Sequence, residues 1–252
     1  HQLGAAGGRP ILVPAGTDEG FSLRVDAVQE RITTKTRAIL INSPANPTGF
    51  RLTEEEIRKL AGLDVFLVSD EICHGLNYGG PDHSALEFSD DALIINGFSK
   101  YFAMTGWRLG CLILLDRFMR QIEVLQQNFF VSPNPFVQRG SVAALREGIS
   151  EAERMRNIYA ERRKVMLDML RRNDFPIHRE PDGAFYVLAD ARAYGPDSLL
   201  LAREILEATG VAVAPEADFG PGGEGFLRFS YCNSIENIEK GVEGVGKYLS
   251  NR

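Results

Sequence analysis

Short continuous apolar runs alternate with segments of helical spacing along the first half of the chain. Ile11–Pro14 (ILVP) reads as a strand, and Arg37–Asn42 (RAILIN), Val65–Asp70 (VFLVSD), Ala92–Phe98 (ALIINGF) and Leu109–Leu115 (LGCLILL) read as buried strands. Between the first two, FSLRVDAVQERI places Leu23 or Val25, Val28 and Ile32 on one helical side. LTEEEIRKLAGL opens with Thr53, a good N-cap, and Glu56 three residues later completes a capping-box pattern. Its early acidic residues suit the positive end of a helix.

The pattern changes near residue 115. DRFMRQIEVLQQNFF and PFVQRGSVAALREG read as helices, and Glu151–Asn173 reads as one long amphipathic helix with Met155, Tyr159, Met166 and Leu170 facing inward. A strand (AFYVLAD), a helix (SLLLAREILEAT), two strands (VAVAP, FLRFSY) and a closing helix from about Ser234 follow. Apolar strands alternating with helices predict an α/β domain, a mostly parallel sheet covered on both faces, and the second half predicts a smaller α+β domain. The expected division is 1–148 and 149–252. In open α/β sheets ligands sit at the carboxyl ends of the strands. Asn42, Asn46, Asp70, Ser99 and Lys100 all follow or end such runs, so one crevice is expected to gather them.

Composition narrows the function. Hydrophobic residues make up 44% and charged residues 25% of 252 residues, which is ordinary for a globular chain. A net charge of −6 argues against a nucleic-acid binder. No apolar run approaches the roughly 20 residues of a membrane helix, and HQLGAAGGRP has no signal-peptide core. Cys73, Cys111 and Cys232 are too scattered for a disulfide framework and fit a reducing, cytoplasmic setting. No metal-ligand spacing occurs.

Taken singly, the polar residues are unremarkable: Asp70 reads as a turn cap, Lys100 as a surface lysine, Arg108 as an ion-pair partner of Asp70 or Glu71, and NSPANPTGF as a loop in which Gly49 is free to adopt positive φ. In combination, NSPANPTG, SDEI, SKYFAMTGWRLG and FLRFSY resemble, in order and spacing, the fold type I pyridoxal-phosphate aminotransferases of class I/II, the aspartate aminotransferase superfamily. The resemblance runs from AAGGRPILVP to the last helix. It implies the large cofactor-binding domain and small C-terminal domain of that fold, a homodimer, and amino acid and 2-oxo acid substrates. By the same resemblance Lys100 forms the Schiff base with pyridoxal 5′-phosphate and then shuttles a proton. Asp70 pairs with the pyridine nitrogen, Asn46 bonds the phenolic oxygen and lies beside the substrate, Arg108 and Ser99 hold the phosphate, and Arg228 clamps the substrate α-carboxylate.

Two departures from the family pattern carry expectations. Cys73 stands where many relatives have a tyrosine; a thiol is a weak donor, so a weaker hold on the phenolate and a higher Schiff-base pKa are expected. Relatives also carry roughly a hundred residues before the equivalent of His1, a typical domain fraction, including a phosphate-binding loop, a ring-stacking aromatic residue and two strands of the sheet. The chain is therefore expected to be part of a longer polypeptide and, alone, to bind the cofactor poorly. A smaller departure is the helix before Asp70, a turn or more shorter than usual. His74 is read as a packing residue behind the site. The alternatives to an aminotransferase are a carbon–sulfur lyase on the same fold, a sensing domain borrowed by a regulator, and a degenerate non-catalytic fragment.

Overall fold

The computed structural model describes residues 4, 7–17 and 20–252. Of the segment where the family resemblance begins, Ala5 and Ala6 lie outside the described residues.

Four strands form the first sheet in the order β1 (Ile39–Asn42), β2 (Leu67–Asp70), β3 (Ala92–Gly97) and β4 (Gly110–Ile113). β1, β2 and β3 run parallel, with Asn42 opposite Asp70 and Asp70 opposite Ile95. β4 returns antiparallel, with Gly97 opposite Gly110. Ile39, Ile41, Leu67, Ala92 and Ile94 bury one face of this sheet together with Val28 of α1 (Val25–Gln29) and Ile57 and Leu60 of α2 (Glu54–Ala61). The expected capping box is present: Thr53 Oγ1 accepts from Glu56 N, and Glu56 Oε2 accepts from Thr53 N.

Two expectations need correction. Ile11–Pro14 is not a strand. β1 pairs only with β2, so among the described residues this segment has no neighbour to bond with, and Ile11 and Leu12 are exposed. Leu109–Leu115 does hold a strand, but every residue of β4 is exposed, because β4 ends the sheet and nothing among the described residues lies beyond it.

Two helices follow, α3 (Asp116–Phe130) and α4 (Pro135–Glu147), and then the long α5 (Ile149–Arg172), which starts where Gly148 ends α4. Met166 and Leu170 of α5 are buried as expected, whereas Met155 and Tyr159 are half-buried. The second sheet is antiparallel, in the order β5 (Tyr186–Asp190), β7 (Phe226–Ser230), β6 (Ala214–Pro215). With α5, α6 (Ser198–Thr209) and α7 (Ile235–Ser250) it closes the larger core around Leu170, Phe175, Ile205, Leu227, Tyr231 and Val245.

The two sheets meet at Gly49. It adopts φ +72, and a Cβ there would lie 2.6 Å from Pro181 Cβ and 3.0 Å from Gly183 O. Without that side chain, the backbone of 182–183 donates two hydrogen bonds to Gly49 O. Arg51 N adds a bond to Asp182 Oδ1 at 2.9 Å.

Candidate active site

The topology brings the chemistry to one end of the first sheet. β1, β2 and β3 end there at Asn42, Asp70 and Gly97, and because β4 is antiparallel its start, just after Arg108, lies at that same end. Gly97 is where the crossing is tightest: a Cβ would meet Ile72 Cδ1 at 2.9 Å and Gly110 Cα at 3.0 Å. The chain leaving Gly97 carries Ser99 and Lys100; it is pinned by Met104 N to Phe98 O and by Thr105 Oγ1 to Ser99 O at 2.7 Å. Tyr101 anchors this loop to α5, donating its hydroxyl to Glu153 Oε1 at 2.5 Å.

Asp70 is half-buried. Its Oδ1 accepts from Ile72 N at 3.1 Å, as an aspartate capping a turn does. Burial lifts its carboxyl above the ordinary value, while the Ile72 N–H, His74 and Lys100 act in the other direction by favouring the ion. Lys100 Nζ lies over the Phe185 ring, 5.2 Å from its centroid, and has no ion-pair partner among the described residues. Cys73 is buried in a small cluster with Ala184 and Tyr186, and burial pushes its thiol up to about 12, so it remains protonated at neutral pH.

Arg108 pairs with neither Asp70 nor Glu71. It stands exposed in the left-handed region at φ 57 and donates Nη1 to Thr105 O at 2.9 Å. Glu71 instead accepts from Ser84 Oγ and Ala85 N, and its second oxygen lies 3.4 Å from His74 Nδ1. His74 thus packs behind the site.

The NSPANPTG loop is tied to β1 and β2: Asn42 Nδ2 donates to Asp70 O at 3.0 Å, and Asn46 N donates to Asn42 Oδ1 at 2.8 Å. Across 182 residues of sequence, Arg228 Nη1 donates to Asn46 Oδ1. The Arg228 guanidinium lies between the rings of Tyr186 and Phe219, 4.7 and 4.9 Å from their centroids. Its Nε is 3.6 Å from the fully buried Glu216 Oε1. Sequence reasoning passed over Tyr186, Phe219 and Glu216. The first lies in a run that reads as a strand and the other two lie between strands; a glutamate opening a turn directly after β6 gives no periodic signal.

These groups fit an anionic, aldehyde-bearing heteroaromatic cofactor. Among the described residues the Lys100 amine and the half-buried Asp70 carboxylate form no ion pair, and the exposed Arg108 guanidinium has one hydrogen bond, to a backbone carbonyl. Among the described residues no cluster of three or more His, Cys, Asp or Glu side chains is placed to hold a metal ion, and no helix is long and apolar enough to cross a membrane.

Comparison with known proteins points the same way. The sequence profile described as "Aminotransferase class I and II" matches residues 1–245. A valine–pyruvate aminotransferase of Mycobacterium tuberculosis is 38% identical over 255 residues, covering 98% of this chain and 66% of that protein. A probable aspartate aminotransferase of Methanocaldococcus jannaschii is 36% identical, covering 89% of this chain and 62% of that protein. Among solved structures, an aromatic aminotransferase of Pyrococcus horikoshii superposes with TM-score 0.92 at 34% identity, over 98% of this chain and 69% of that one. The aspartate aminotransferase of Thermus thermophilus with maleate gives 0.89 at 36% identity, over 96% of this chain and 64% of that one. The chain spans about two thirds of the length of the curated relatives it matches. A profile match over nearly the whole sequence, and a fold shared at this identity, establish that this chain belongs to the class I and II aminotransferase family.

Proposed function

We propose that this chain carries the lysine, ring-pairing and carboxylate-clamping groups of a pyridoxal-phosphate aminotransferase, which moves an amino group from an amino acid to a 2-oxo acid. The observation that supports this most is the gathering of Lys100, Asp70 and Arg108 at one end of the first sheet, within a member of this family. When bound, the cofactor supplies a reactive carbonyl and an electron sink.

The chain's own groups do the rest. Lys100 Nζ is the amine that anchors the cofactor, and once released it is the base that moves a proton at the substrate Cα. An arginine there stays protonated and does neither. Asp70 holds a proton at the ring nitrogen. Asn46 donates toward the ring's phenolic oxygen, Arg108 grips the phosphate through a planar fork, and Ser99 adds a hydroxyl beside it. Cys73 replaces a strong donor with a buried neutral thiol. Arg228, stacked between two rings, is set to clamp the substrate carboxylate.

Residues 1–148 form the cofactor-binding part and 149–252 the small domain in this reading. A homodimer and a cytoplasmic setting belong to it as well; the three unpaired thiols fit a reducing compartment. Incubation with aspartate, valine and aromatic donors plus 2-oxoglutarate tests the function. New glutamate, lost by at least about 10³-fold in Lys100→Ala, is expected. Pyruvate and ammonia released from a cysteine thioether supplied in a parallel incubation, with no glutamate formed from any donor, would make it a lyase.

A further inference from the structure

Glu216 opens the turn Glu216–Phe219 between β6 and β7, and its side chain is fully buried. Among the described residues neither carboxylate oxygen has a hydrogen-bond partner. Its Oε1 faces Arg228 Nε at 3.6 Å, close enough for attraction and too far for a hydrogen bond. An ionised carboxylate held this way is costly, because burial removes water and nothing replaces its hydrogen bonds.

Arg228 does not need Glu216 to keep its place. Asn46 Oδ1 accepts from Nη1, and Tyr186 and Phe219 hold the guanidinium plane. Glu216 therefore sits at one edge of a fork that other groups already orient. A carboxylate bound bidentately to that fork would bring a second negative charge beside the first. Two carboxylates at one guanidinium cannot both stay ionised without penalty.

We propose that Glu216 is an internal competitor for Arg228, so that a substrate carboxylate binds there with uptake of a proton by Glu216. This rests on Arg228 being the carboxylate clamp.

The surroundings of Glu216 favour such a role. The charges acting on it are Arg228 from β7 and Asp218 from its own turn. From β5, Tyr186 is neutral, its phenol pushed up to about 12 by burial. The buried residues of α6, which also packs against this turn, are Ser198, Leu201, Ala202 and Ile205, none of them charged. Burial lifts the Glu216 carboxyl to about 7 against the opposing pull of Arg228, so near neutrality it is divided between its two forms. Arg228 is fully available below that value and progressively occupied above it. If only the neutral form is competent, apparent affinity falls about tenfold one pH unit above the carboxyl's own value.

The test is calorimetric titration of the 252-residue chain from pH 6 to 8.5 with maleate, 3-methylbutanoate and 3-phenylpropionate, which represent acidic, aliphatic and aromatic side chains. At least one is expected to bind more weakly as pH rises, by up to about tenfold at pH 8. Binding at pH 7.5, repeated in buffers of different ionisation enthalpy, is expected to show uptake of a fraction of a proton. Glu216→Gln should flatten the pH dependence, tighten binding at pH 8 and abolish the uptake. If Glu216→Gln does not fold, proton uptake by the wild type decides. Binding that is lost in Arg228→Gln but is pH-independent and proton-neutral in the wild type overturns the role of Glu216 and leaves the clamp intact. Binding unchanged in Arg228→Gln, or absent from every variant, overturns the clamp and the competitor together.

Discussion

All five residues of β5 are buried, whereas all four residues of β4 are exposed. Both strands are short and apolar in sequence. β5 lies in a sheet whose face is closed by α5, α6 and α7, and Val187 and Ala189 are fully enclosed. β4 lies at the end of the other sheet, with Leu112 42% and Ile113 50% exposed. Its contribution is directional: antiparallel to β3, it starts opposite Gly97, so Arg108 just before it stands at the end where Asp70 and Lys100 lie. An apolar run with a strand to pair with forms a strand, while its burial depends on what packs against it, and in this chain the better-enclosed sheet and the one carrying the lysine are different sheets.

If that contrast is right, substitutions should separate by sheet. Leu227→Ala in β7, at 0% exposure, is expected to cost about 2–5 kcal/mol in denaturant unfolding. A cost under about 1 kcal/mol would mean that the second core is looser than its packing indicates. Asp190, at the end of β5, sharpens the same point through pH. Burial opposes its ionisation, but hydrogen bonds from Arg192 and His178 outweigh that and hold the carboxyl at about 2, below the ordinary 3.8. A depressed folded value stabilises above the unfolded one and is lost as pH falls through the folded one. Acid unfolding should therefore show a loss of about 2 kcal/mol between roughly pH 4 and 2, absent in Asp190→Asn. Leu112→Ala in β4 is expected to change stability by no more than about 0.5 kcal/mol; a core-sized loss there would show that β4 is covered in solution.

The sequence carried the elements with local chemistry. The capping box at Thr53 and Glu56, the positive φ of Gly49 and the Ser234 cap of α7 each follow from a few neighbouring residues. It also carried the placing of Asn42, Asp70 and Lys100 at one end, because strand ends in an α/β sheet share a side; Arg108 joins them because β4 runs antiparallel, which the strand pattern does not encode. It failed where the deciding partner is remote. Among the described residues Ile11–Pro14 has the composition of a strand but no strand beside it, and Leu109–Leu115 has the composition of a buried strand but no layer over it. The Asn46–Arg228 bond and the burial of Glu216 depend on the second sheet docking against the first, which no periodicity encodes.

In the proposed reading Lys100, over the Phe185 ring and without an ion-pair partner among the described residues, is the residue that takes the cofactor. That role is tested most directly by adding pyridoxal phosphate, fixing any attachment with borohydride and mapping the labelled peptide by mass. A single dominant label is expected on the peptide carrying Lys100, lost in Lys100→Ala and weakened in Asp70→Asn. Label spread over surface lysines, and unchanged in Lys100→Ala, would contradict it.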